Sequence, residues 1–176
     1  MTIDLQAAIN ASGVPDIMDL TVVPFGNANI ANDTVTCQHG PDECTGNAIE
    51  QCAFNLYDSY TAFPFYECME AAGSDMLNQV QECANTAGLS YQKLLACYKN
   101  PTTVLENQIE AQAATPEDHT YVPWVVIDGL VWDGATDFLT LVCNAYDGTP
   151  PAGCPATKPS LRAATVPRAG GPLRME

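Results

Sequence analysis

The chain has 176 residues, 47% of them hydrophobic and 15% charged, enough apolar content to bury one core of ordinary size and too much for a disordered chain. Acids outnumber bases 21 to 6, for a net charge of −15, which repels phosphate backbones and argues against nucleic-acid binding. No apolar run approaches the roughly 20 residues of a membrane span, so none is expected. Four of the six basic residues (Lys158, Arg162, Arg168 and Arg174) fall in the last 19 positions, leaving the first 157 residues with Lys93 and Lys99 against 20 acids, or −18. A body so charged repels itself at neutral pH and is compatible with an acidic compartment.

In chain order, residues 2–11 predict a short helix with Ile3, Leu5, Ala8 and Ile9 on its apolar side and Ser12-Gly13 as its stop. Residues 17–23 predict a strand rich in branched side chains, ended by Pro24 and Gly26-Asn27. Residues 26–46, rich in Asn, Gly and Asp, are expected to form a long loop. Helices are expected at 47–60, 63–72, 75–86 behind Ser74 as N-cap, 91–98 after Ser90, and 104–114, where Thr103-Val-Leu-Glu106 fits a capping box. Tyr121-Val-Pro-Trp-Val-Val-Ile127 predicts a strand with Pro123 near its start, Asp128-Gly129 a hairpin turn, and Leu130-Val131-Trp132 the return strand. A last helix is expected at 135–147, with Phe138, Leu141, Val142, Ala145 and Tyr146 inward and Gly148 as its stop. The Pro-, Ala- and Gly-rich end, 156–176, is expected to be a disordered basic tail.

Eight cysteines (Cys37, Cys44, Cys52, Cys68, Cys83, Cys97, Cys143 and Cys154) point to disulfides and an oxidising compartment. Cys52, Cys68, Cys83 and Cys97 recur once per predicted helix, a spacing that suits helices stapled to one another. The number of possible pairings leaves connectivity open, except that Cys143 and Cys154 flank a helix stop and two prolines and are expected to pair. No two cysteines stand in a Cys-x-x-Cys. The sequons at Asn10 and Asn32 are candidate glycosylation sites, although Met1-Thr-Ile-Asp-Leu does not open like a secretory signal. No metal set and no cofactor are expected. His119 lies just before Tyr121-Val-Pro-Trp124 and is expected to be a plain surface histidine. The order helix, strand, helical insert, strand, hairpin and helix is that of an α/β thioredoxin-like domain over 1–155, with a disulfide-stapled helical insert at about 47–115 and the first strand missing.

Residues 37–52 read CQHGPDECTGNAIEQC. This resembles the hallmark Cys-Gln-His-Gly-x-x-Glu-Cys-x-x-Asn-x-x-x-x-Cys of the gamma-interferon-inducible lysosomal thiol reductase family, with Cys37, Gln38, His39, Gly40, Glu43, Cys44, Asn47 and Cys52 in its fixed positions. Residues 20–28 look like the family's strand before that hallmark, and Tyr121-Val-Pro-Trp124 like its later proline loop. The resemblance implies a thioredoxin-like fold, reduction of disulfide-bonded protein substrates in an acidic endolysosomal or extracellular compartment, and a substrate-facing loop at Val122, Pro123 and Trp124, with Val122–Pro123 in the cis form. It also implies a redox Cys-x-x-Cys ahead of the first helix. Here the first helix begins the chain, so no catalytic cysteine is assignable. A catalytic pair upstream of these residues and a non-catalytic disulfide-stapled binding or structural protein remain the two alternatives.

Overall fold

A computed structural model describes residues 2–156 and 173–175, with side chains described for residues 4–156. The chain is mixed α/β, mostly helical with small sheets, and carries four disulfides. It divides into two compact units, residues 1–21 with 124–175 and residues 22–123.

In the first unit, α1 (Thr2–Asn10) packs against α7 (Phe138–Ala145). Leu5, Ala8, Val14, Trp124, Val125, Ile127, Phe138, Val142 and Cys143 are buried there. Helix α7 starts later than the hydrophobic pattern suggests because the Asp137 carboxylate accepts from the Thr140 backbone N–H and acts as its N-cap. It ends at Ala145, before Gly148, and Tyr146 is exposed rather than inward. The backbone then turns back to the end of α1, where the Gly153 N–H donates to the Ser12 carbonyl at 2.8 Å. Cys143 and Cys154 are bonded across that turn, with Cα atoms 5.8 Å apart.

The sheet of this unit has the order β1 (Leu20–Val22), β6 (Leu173–Met175), β4 (Val125–Ile127), β5 (Leu130–Val131). Asp128 and Gly129, both at positive φ, make the tight turn between β4 and β5. Strand β6 is drawn from the last residues of the chain. Leu173–Met175 lies between β1 and β4 and pairs antiparallel with β4, Val126 opposite Arg174. The unpaired edge of β4 is thereby satisfied from the C-terminal end of the chain; residues 157–172 of the expected tail lie outside the described residues. The strand expected over 17–23 is shorter, because Pro15–Ile17 forms a 3₁₀ turn.

In the second unit, the expected loop 26–46 is largely ordered secondary structure. Asn32 and Asp33 adopt φ of 50° and 58° and turn β2 (Asn29–Ala31) into β3 (Thr34–Thr36). Asn and Asp tolerate this left-handed region better than other side chains, so the Asn-Asp pair between Ile30 and Val35 was the overlooked hairpin signal. Helix α2 (Pro41–Leu56) begins six residues earlier than expected. Pro41 suits the first turn, and Asp42 and Glu43 place negative charge at the positive end of the helix.

Helix α3 (Ser59–Ala72) follows, capped by Asp58, whose carboxylate accepts from the Thr61 N–H; those hydrogen bonds hold the acid below its ordinary pKa. Helix α4 (Met76–Thr86) is preceded by a 3₁₀ turn at Gly73–Asp75, so Ser74 lies in that turn and is not a cap. Helix α5 (Tyr91–Tyr98) is capped by Ser90 as expected. Helix α6 (Pro101–Ala114) starts three residues before the expected capping box, because the Asn100 side-chain oxygen accepts from Thr102 and Thr103 and Pro101 fits the first position. The core gathers Ile49, Cys52, Phe65, Met69, Val80, Cys83, Leu89 and Leu94 from α2 to α5. Cys52–Cys97 ties α2 to α5, and Cys68–Cys83 ties α3 to α4.

Candidate functional site

The hallmark segment straddles the N-terminus of α2. Cys37 and Cys44 are bonded, with Cα atoms 5.6 Å apart, and close a loop around it. Gly40 sits at φ 101°, a conformation that side-chain-bearing residues rarely adopt, and is the residue from which α2 starts. Glu43 reaches back one turn: its carboxylate accepts from the His39 backbone N–H and lies 3.3 Å from the His39 ring Nδ1. His39 is thus an exposed loop residue held by Glu43.

One further hallmark side chain, Asn47, and a neighbour outside the hallmark's fixed positions, Gln51, anchor the exit of β1. The buried Asn47 donates from Nδ2 to the Phe25 carbonyl at 3.1 Å, and the adjacent Gln51 donates to the Pro24 carbonyl at 2.6 Å. These bonds satisfy carbonyls that a chain leaving a strand would otherwise bury unpaired. Cys52 lies wholly buried in its bond to Cys97, with the Asn107 amide near both sulfurs at 3.9 Å. Residues 37–52 therefore supply a loop clasp, a helix start and two amide tethers, one of them from the hallmark's own Asn47.

Gln38 leads elsewhere. Its Oε1 accepts from Asn27 Nδ2 at 2.7 Å, and Asn27 Oδ1 faces His119 Nε2 at 3.1 Å. The other ring nitrogen of His119 lies 2.6 Å from the Pro116 carbonyl. A chain of polar side chains thus joins the hallmark to the segment that runs into the proline loop. Val122–Pro123 is cis. Val122 and Pro123 are exposed, whereas Trp124 is buried at 8% and belongs to the core of its unit. The expected substrate-facing trio is therefore an exposed pair with an inward tryptophan.

All eight cysteines are in disulfides, and no group of three or more His, Cys, Asp or Glu among the described residues is placed to hold a metal. The sequons stand on exposed positions, Asn10 at the end of α1 and Asn32 at the tip of the β2–β3 hairpin. Asn27, Gln51, Asn107 and Gln108 escaped sequence analysis because lone amides in loops and helices carry no spacing signal.

Residues 1–87 match the family described as gamma interferon inducible lysosomal thiol reductase. The chain is similar to the gamma-interferon-inducible lysosomal thiol reductase of Carassius auratus, 37% identical over 153 residues, covering 79% of this chain and 60% of the relative. It is similar to the gamma-interferon-responsive lysosomal thiol protein of Arabidopsis thaliana, 34% identical over 147 residues, covering 75% and 58%. The Mus musculus thiol reductase is 31% identical over 144 residues, covering 77% and 58%. The chain spans about three-fifths of the length of these relatives.

Proposed function

The chain belongs to the gamma-interferon-inducible lysosomal thiol reductase family, and from that membership we propose that it is the scaffold and substrate-facing part of a thioredoxin-like thiol–disulfide oxidoreductase. Its substrates are disulfide-bonded proteins met in an acidic endolysosomal or extracellular compartment. The observation that carries the proposal is the exposed Val122–Pro123 backbone, tied through His119 and Asn27 to the family hallmark. An exposed backbone of this kind suits pairing with a substrate chain beside its disulfide. Exposed sequons and four disulfides agree with an oxidising, glycosylating route.

Disulfide reduction needs a thiolate that attacks one sulfur, releases the other as a thiol, and is resolved by a second thiol. Every cysteine of the 176 residues is paired, so these residues alone supply no nucleophile. The family's Cys-x-x-Cys, positioned at a helix N-terminus where the helix field favours the thiolate, has to come from outside them. The test compares the 176-residue chain with the gene's own reading frame extended upstream through a Cys-x-x-Cys, in an insulin-type reduction assay at about pH 5 with a thiol donor. The extended protein is expected to turn over and the 176-residue chain to stay at background. Turnover by the 176-residue chain would overturn the proposal and turn attention to Cys37–Cys44.

A further inference from the structure

Helix α2 buries a carboxyl group, which does not belong in a hydrophobic environment. Glu50 is 0% exposed, and neither of its carboxylate oxygens has a hydrogen-bond partner among the described residues when the group is ionised. A buried carboxylate without a partner is among the most costly groups a fold can hold. The group that faces it is another acid, Glu70 on α3. As a residue Glu70 is exposed, so the pair has one wholly buried member and one at the solvent edge, which gives protons a path in.

Among the described residues the surroundings offer no countercharge. Glu70 bears on Glu50 from α3; Glu50 and Glu43 bear on Glu70 from α2; Tyr66, one turn before Glu70, feels both. Helices α4, α5 and α6 and strand β3 also pack against α2, yet neither lysine of this unit, Lys93 or Lys99, contributes to either carboxyl. Burial first, then repulsion from Glu70, hold the Glu50 proton far above the ordinary carboxyl range; burial likewise raises Glu70. Only a proton supplies what the geometry lacks: bound between the carboxyls, it removes one charge and gives Glu50 a hydrogen-bond partner in Glu70.

We propose that Glu50 and Glu70 form a proton-dependent latch between α2 and α3, closed in acid by one shared proton and weakened as rising pH removes that proton and leaves two facing carboxylates. The sign follows from linkage. The folded unit holds the proton more tightly than the unfolded chain, so its stability is greatest below the ordinary glutamate value of about 4.3 and falls as pH rises toward the folded value. The protein is then most rigid in an acidic compartment and loosest where pH is neutral. The inference does not depend on the proposed reductase activity.

Hydrogen–deuterium exchange on the full chain, corrected for intrinsic rates, tests it between about pH 5 and about pH 7.5. In the native chain the opening equilibrium of α2 and α3 is expected to rise by up to about tenfold per pH unit, the limit for one linked proton. Glu50→Gln and Glu70→Gln should remove most of that rise. Glu82→Gln, on the exposed surface of α4, should leave it intact and reports general acidic repulsion. Carbon-13 titration of the glutamate carboxyls in the native chain supplies a second measurement should a variant fail to fold: one carboxyl should titrate well above the exposed glutamates and vanish in Glu50→Gln. A Glu50 carboxyl that titrates with the exposed ones, or a Glu50→Gln chain with the full native pH dependence, would overturn the latch.

Discussion

Gly153 has no room for a side chain. A Cβ there would lie 2.5 Å from the Ser12 backbone nitrogen and 2.7 Å from the Ala11 carbonyl carbon. Backbone cannot rotate away as a flexible side chain does, so relief means lengthening the Gly153–Ser12 hydrogen bond or shifting the end of α1. Gly153→Ala is therefore expected to cost about 2 kcal/mol, a fall in melting temperature of about 4–8 °C for a chain of this size. Thermal unfolding under oxidising conditions checks it, and a shift under about 1 °C would show that the turn relaxes freely. At the same scale the sequence reveals residue types better than residue tasks. Cys37, Gly40 and Cys44 carry the family resemblance by residue type and spacing, while the clasp and the helix start they make are visible only in the structure. Asn47 and Glu50 look alike in sequence, two polar positions in one helical run, yet Asn47 satisfies the Phe25 carbonyl while Glu50 finds only another acid. That difference depends on what lies opposite, which comes from distant parts of the chain.

At the scale of elements, helices were legible wherever their caps were local. Ser90 was recognised because its hydroxyl caps the helix that begins at the next residue. Helix α6 was misplaced because two cap signals compete: Thr103 with Glu106, and Asn100 with Pro101. The structure selects Asn100, whose side-chain oxygen lies 3.1 Å from Thr102 N and 3.3 Å from Thr103 N. Asn100→Ala is accordingly expected to cost about 1 kcal/mol, and Thr103→Ala, now a position inside the first turn, a few tenths at most. Urea unfolding of the two variants side by side measures this, and the reverse ranking would restore the capping box. The β2–β3 hairpin shows the opposite failure. A segment of Asn, Asp and Thr reads as loop by composition, while the positive φ at both Asn32 and Asp33 makes it a turn between strands. Its strands are held from outside as well, the Ile30 N–H donating to Gln112 on α6 at 2.9 Å.

For the molecule as a whole, the cysteine rhythm was legible as helix-to-helix stapling, and the partners were not. Of the bridges, only Cys143–Cys154 is foreshadowed by its link, which holds a helix stop and two prolines. Strand β6 was beyond sequence reasoning for a related reason. Its three residues carry no pattern of their own, and their place between β1 and β4 is dictated by an edge that needs hydrogen bonds. Connectivity nevertheless has consequences that rank. Cys52–Cys97 closes a separation of 45 residues, and Cys37–Cys44 one of 7. In the chain-entropy account the longer loop restricts the unfolded state more, by about 4 kcal/mol against about 2. Cys52→Ala with Cys97→Ala should therefore lower stability by roughly twice as much as Cys37→Ala with Cys44→Ala, and by somewhat more again because Cys52 is wholly buried and leaves a void. Urea midpoints of the two double variants measure the difference. A variant lacking Cys52–Cys97 that is already unfolded without denaturant agrees with it. Equal midpoints, or a larger loss at Cys37–Cys44, would mean instead that the clasp at the start of α2 organises the unit of residues 22–123, and that its enthalpy in the folded state outweighs loop closure in the unfolded one.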